Sequence, residues 1–128
     1  MEVLSGRIIL RPVDLERSLR FYGETLGLRV YREYGSGDDR GVVFFIGGGY
    51  LEVTGQAPPV DVDKLSLWLQ VPDLDSVYAG LSAGGVDIVD PPERKPWGLQ
   101  EMWIRDPDGV SIVVVQVPED HPLRRRPG

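Results

Sequence analysis

Hydrophobic and polar side chains alternate over residues 7–13, where Ile8 and Leu10 are interleaved with Arg7, Ile9 and Arg11, and the alternation stops at Asp14. A period of two predicts a strand. From Leu15 the apolar positions Leu15, Leu19, Tyr22 and Leu26 recur at helical spacing, so Asp14 is expected to cap a helix that Gly27 ends. Three strands should follow, at about 28–34, 41–46 and 50–54, with the glycine-rich "IGGGYLEV" (46–53) supplying the last hairpin.

The same order returns about 60 positions later. Leu65, Leu67, Leu69 and Val71 alternate with Ser66, Trp68 and Gln70; Asp73 is placed to cap a helix carrying Leu74, Val77 and Leu81, and Gly84-Gly85 to end it. Strands are expected at about 86–89, 100–105 and 110–116, with "RDPDGVS" turning the final hairpin. The chain therefore reads as an α+β protein of two tandem βαβββ modules, 1–54 and 65–117, joined by a Pro-rich linker (55–64) and followed by a tail (118–128). One face of each sheet is covered by its helix. Two curved sheets turned towards each other would leave a cup between their other faces, and function is sought there.

Composition narrows the classes of partner. Cysteine is absent, which excludes disulfides, thiolate metal sites and cysteine nucleophiles and makes a reducing cytoplasm the expected setting. No long apolar run and no basic-then-apolar leader pattern is present, so no membrane partner is expected. The net charge is -6, from 14 Lys and Arg against 20 Asp and Glu. A domain this acidic repels phosphate backbones, and no nucleic-acid partner is expected. Arg124, Arg125 and Arg126 are expected to form a solvated terminus.

The stretches "VDLERSLRFYGETLGL" (13–28), "VPDLDSV" (71–77) and "RDPDGVSI" (105–112), together with the doubled module, resemble the vicinal oxygen chelate superfamily of glyoxalases, bleomycin-resistance proteins and extradiol dioxygenases. In its metal-dependent members the resemblance implies four ligands, two per module. One lies seven residues before the helix-capping Asp, and the other four residues after the hairpin glycine. Those rules select Arg7 and Glu52 in the first module, and Ser66 and Val113 in the second. Arginine and valine offer no lone pair, and one carboxylate with a serine hydroxyl does not hold a transition metal against water. The resemblance thus points to a metal-free member of bleomycin-resistance type, with no cofactor, a small aromatic natural product or antibiotic as ligand, and a homodimer whose modules pair within or between chains. A glyoxalase- or dioxygenase-like lyase or isomerase with an atypical site, or none, is the alternative.

Strand parity assigns Ile8, Leu10, Leu51, Val53, Leu65, Leu67, Leu69, Met102, Ile104, Ile112 and Val114 to the helix-packed faces. The opposite faces hold the candidate ligand-binding residues: Tyr50, Trp68 and Trp103 for stacking, with Arg7, Arg11, Glu52, Ser66, Glu101 and Arg105 to orient polar groups. The tryptophans are open to other readings, a dimer interface or ordinary packing. Trp97, on the loop within "PPERKPWGLQEMW" (91–103), either closes over a flat ligand or anchors the loop. The sole histidine, His121, lies in the tail and is expected to be a solvated or packing residue. No Gly-x-Ser-x-Gly elbow or phosphate-binding loop occurs.

Overall fold

Asp14 stands in extended backbone, and its carboxylate accepts the N–H of Arg17, which opens helix α1 (Leu15–Arg20). Leu15, Ser18 and Leu19 form its buried stripe. The chain then widens into a π-helical turn, Phe21–Thr25. Two successive aromatic residues, Phe21 and Tyr22, are buried there, their rings edge to face at 5.0 Å, and Tyr22 lies 6.4 Å from Phe44. Gly27, at φ 68°, supplies the left-handed residue that ends the run.

The structure, a computed structural model, describes residues 1–124. The last two of the three tail arginines, Arg125 and Arg126, lie outside the described residues. The chain divides into two compact units, Met1–Asp61 and one beginning at Val62. In the first, β1 (Ile8–Leu10), β2 (Val30–Tyr34), β3 (Gly41–Ile46) and β4 (Gly49–Thr54) form a sheet in the order β1-β4-β3-β2, with β1 parallel to β4. Its helix side is built from Val42, Phe44, Leu51 and Val53, all buried. Removing each such side chain from water contributes roughly 1.5–3 kcal/mol. The backbone N–H of Ala57 donates to Pro12 O at 3.0 Å, tying the start of the Pro-rich stretch to this unit.

The second unit repeats the plan. Its sheet runs β5-β8-β7-β6, from β5 (Ser66–Gln70), β6 (Asp87–Arg94), β7 (Gln100–Arg105) and β8 (Ser111–Gln116). Helix α2 (Leu74–Ala83) is capped by Asp73, which accepts from the Ser76 N–H at 3.2 Å and from the Ser76 hydroxyl at 2.7 Å. The Leu74 N–H donates to Gln116 Oε1 at 2.8 Å, fixing the helix start to β8. Before β8, buried Asp106 accepts the N–H groups of Asp108 and Val110, and Gly109 completes the turn at φ 87°. Leu67, Met102, Ile104, Ile112 and Val114 are buried on the helix side. Both modules are therefore βαβββ.

Three expectations are corrected. The first strand is three residues long instead of seven. Strand β6 extends to Arg94 although Pro91 and Pro92 lie within it, because it is the outer strand and its register shifts between Asp90 and Glu93. Ile8 and Leu65, assigned by parity to the helix-packed faces, are 41% and 69% exposed, for both lie on or beside an outer strand of their sheets.

Candidate functional site

Cross-strand partners share a face, so the register of each sheet gives the rows of its open side. In the first module one row is Ile9, Glu52, Val43 and Arg32. Glu52 uses both carboxylate oxygens: Arg7 Nη1 donates to Oε1 at 2.7 Å, and the Tyr34 hydroxyl donates to Oε2 at 3.0 Å. The side chains of Arg7 and Glu52 are 34% and 14% exposed, so the pair lies at a partly wet surface. The Arg7 guanidinium also sits 5.8 Å from the centre of the Tyr50 ring.

Tyr50 is one corner of an aromatic triangle. Tyr31 lies 5.0 Å and Phe45 5.7 Å from it, and those two rings meet at 5.2 Å. Tyr31 is half exposed. A bulge between Val30 and Arg32 breaks the alternation of β2 and lets Tyr31 join the open face together with Tyr34. Tyr34 reaches Glu52 across Gly41, where a Cβ would strike its ring. Arg11 follows β1 and is exposed.

In the second module the corresponding row is Trp68, Val113 and Trp103, and beside it runs Gln70, Val115, Glu101 and Glu93. Val113 and Val115, which alternate along β8 with the helix-packed Ile112 and Val114, are nevertheless buried, in a cluster with Leu99 and Val117 against which Trp103 packs. Trp68 is about half exposed. The loop after β6 explains part of this cover. Pro96 and Gly98 shape a turn closed by the Gly98 N–H donating to Lys95 O, and the Trp97 it carries donates its indole N–H to Glu101 Oε2 at 2.6 Å. The chain's end folds back as well: His121 Nδ1 accepts the Leu123 N–H, and Nε2 lies 3.2 Å from Trp97 O. That pairing is met by the Nε2–H tautomer. Ser66 and Arg105 are exposed, each paired in register with Ser111.

A cavity of about 310 Å³ lies elsewhere, on the helix side of the first module, lined by Leu19, Val42 and Phe44 and bordered by Glu16, Glu33 and Arg40. Arg40 bridges its rim, 2.7 Å from Glu16 and 4.0 Å from Glu33. No candidate ligand-binding residue lines it.

Residues 5–114 match the Glyoxalase/Bleomycin resistance protein/Dioxygenase superfamily. The chain belongs to this superfamily. It is 25% identical over 124 aligned positions to a probable lactoylglutathione lyase of Vibrio cholerae, with 88% of this chain and 90% of that protein covered. Among solved structures it is similar to TnmS3, an antibiotic binding protein from Streptomyces, at 28% identity and TM-score 0.72 over 92% of this chain and all of that one. A superfamily member from Sphaerobacter thermophilus is 30% identical at TM-score 0.64, covering 91% and 97% of the two chains.

The four residues that the resemblance selects as metal-ligand positions, Arg7, Glu52, Ser66 and Val113, do not suit a metal ion. Arg7 is a fixed cation, Val113 has no donor atom, and Glu52 already accepts from two donors. No group of three or more His, Cys, Asp or Glu side chains among the described residues could hold an ion. Sequence reasoning missed Tyr31, Tyr34, Phe45 and Gly41 in the first module. They lie on β2 and β3, strands to which the parity assignment does not extend, and the bulge hides Tyr31 from any simple alternation.

Proposed function

We propose that this protein binds a small aromatic molecule of natural-product or antibiotic type without a metal ion, and holds it without transforming it. The observation that carries this reading is the state of Glu52, whose two oxygens are taken by Arg7 and Tyr34 where the superfamily's enzymes present a ligand to metal. Tyr50, Trp68, Trp97 and Trp103 are the stacking surfaces, and Arg7, Arg11, Glu52, Ser66, Glu101 and Arg105 orient polar groups. Likeness to an antibiotic binding protein supports the same choice. So does the half-exposed tryptophan beside the buried valine cluster.

The test is a thermal-shift screen against planar natural products, with elemental analysis of the same preparation. A hit should raise the melting temperature by mass action and lose affinity at least about fivefold on Trp68→Ala or Trp103→Ala. One equivalent of zinc, iron, manganese or nickel surviving dialysis would overturn the metal-free assignment.

The likeness to a probable lactoylglutathione lyase favours a second reading, a glyoxalase-type enzyme. It predicts turnover of lactoylglutathione when zinc or nickel is supplied. We take the working unit to be a cytoplasmic homodimer, because Ile8, Ile9, Leu65 and Trp68 leave apolar surface along outer strands and cysteine is absent. Light scattering that finds only monomer at micromolar concentration would overturn the dimer.

A further inference from the structure

Glu101 is 7% exposed, yet its only polar partner among the described residues is the Trp97 indole N–H on Oε2; no cation pairs with it. Its register partner on β6 is a second carboxylate, Glu93, which Lys95 meets at 3.2 Å; its other neighbours are apolar. Val115 lies opposite it on β8, Leu99 and Val115 belong to the buried cluster, and Trp103 stands two residues along the same strand. A carboxylate removed from water is costly unless a positive partner completes it, and proteins ordinarily supply that partner from their own side chains. The contrast with Glu52 is direct, since that carboxylate has an arginine and a tyrosine.

We propose that Glu101 is the anionic seat of a subsite for a planar organic cation, a protonated aromatic amine or a ring-bearing ammonium group. This rests on the small-molecule reading and names its ligand class. The ligand's positive nitrogen takes the free oxygen of Glu101, while the indoles of Trp97 and Trp103 offer the π faces that favour a desolvated cation over a neutral ring. Trp97 holds the carboxylate in place through its N–H and remains 58% exposed, so its ring keeps a free surface. The chain's net charge of -6 draws cations towards the protein as a whole, which speeds encounter without choosing the site.

Three tricyclic probes of nearly equal size separate the possibilities by isothermal titration at neutral pH: 9-aminoacridine as its cation, acridine as the neutral ring, and anthracene-9-carboxylate as the anion. The cation should bind roughly tenfold more tightly than acridine, and the anion more weakly than either. Glu101→Gln, which keeps an acceptor for the Trp97 N–H, should abolish the preference and leave acridine within about twofold. Asp87→Asn removes the same charge elsewhere on the sheet and should leave the preference intact. Equal binding of cation and neutral ring by the unmodified protein overturns the cation subsite but leaves the small-molecule reading standing, and it does so whether or not the Glu101 variant folds. A preference that survives Glu101→Gln, or falls equally with Asp87→Asn, assigns it to the general field and also overturns the subsite. If none of the three probes binds, the aromatic-binding reading falls and the subsite with it.

Discussion

The two modules share strand order, connection and the register of their first, third and fourth strands, but their open faces have diverged. Across the first, one row reads Ile9, Glu52 and Val43; across the second, the matching row reads Trp68, Val113 and Trp103. In the next row Gly41 of the first module corresponds to Glu101 of the second. Where Gly41 makes room for the Tyr34 ring to cross to a carboxylate, Glu101 is itself the carboxylate and a tryptophan comes to it from a loop. The helix sides, by contrast, are interchangeable in kind, with Leu51 and Val53 in one and Ile112 and Val114 in the other, all buried. The helix side carries apolar core in both modules, whereas the other side is a buried valine cluster in the second module and a paired carboxylate in the first. That other side is free to take up different chemistry on the same frame.

Exchanging the central residues of the matching rows should have the largest effect. Val113→Glu places an unpaired carboxylate among Leu99, Val115 and Val117, and should destabilise the protein by about 3–5 kcal/mol in urea denaturation. Glu52→Val, at the wetter face, should cost only about 1 kcal/mol. Equal costs would dissolve the contrast between the faces.

Gly41→Ala should cost about 1–3 kcal/mol, because the new methyl displaces the Tyr34 ring. Gly48→Ala, which meets open space, is the control and should cost much less. Truncating Tyr34 to Ala in the Gly41→Ala background should recover most of the loss, and a double variant no better than Gly41→Ala would place the strain elsewhere, at Thr54 Oγ1 first.

A double-mutant cycle on Arg7→Ala and Glu52→Ala should give a coupling of about 1 kcal/mol, weakening as salt is added, since the arginine is one third exposed. Strict additivity would separate the two residues in solution.

The smallest effect concerns the caps, which also differ. Asp73 has the Ser76 hydroxyl as well as the Ser76 N–H, and these hydrogen bonds hold its carboxyl below the usual carboxylate range; Asp14 meets Arg17 at the same position. A carboxyl whose pKa is lowered by folding contributes stability above its unfolded pKa, and that stability is lost as pH falls through the lowered folded value. Melting curves of the parent protein and Ser76→Ala should therefore be separated at neutral pH and converge in acid. A gap independent of pH would assign the effect to something other than this carboxyl.

The module order was legible because strand alternation, a capping Asp, helical spacing and a terminating Gly succeed one another in both halves, while the length of β1 and the run of β6 through Pro91 and Pro92 were not. The Arg7–Glu52 meeting was legible only through the resemblance, since the two residues are far apart in the chain. What escaped has local causes. Tyr31 lies at a bulge, which no regular period encodes. Val113 and Val115 follow parity, yet a buried valine and a ligand-facing valine are the same letter; their cover comes from Leu99, Val117 and Trp103. The fold-back of His121 onto the Trp97 carbonyl depends on contacts between a tail and a loop, and carries no periodic signal at all.

Pro91 and Pro92, within the outer strand β6, have a consequence for life in a crowded solution. Two adjacent prolines delete two successive backbone donors of the strand. The loss falls where the ladder to β7 already shifts register, between Asp90 and Glu93. An extended stretch from another molecule would meet a margin interrupted at that point and flanked by the charged Asp87, Asp90, Glu93 and Arg94. This margin of the second sheet is thereby guarded against edge-to-edge aggregation by its own backbone chemistry.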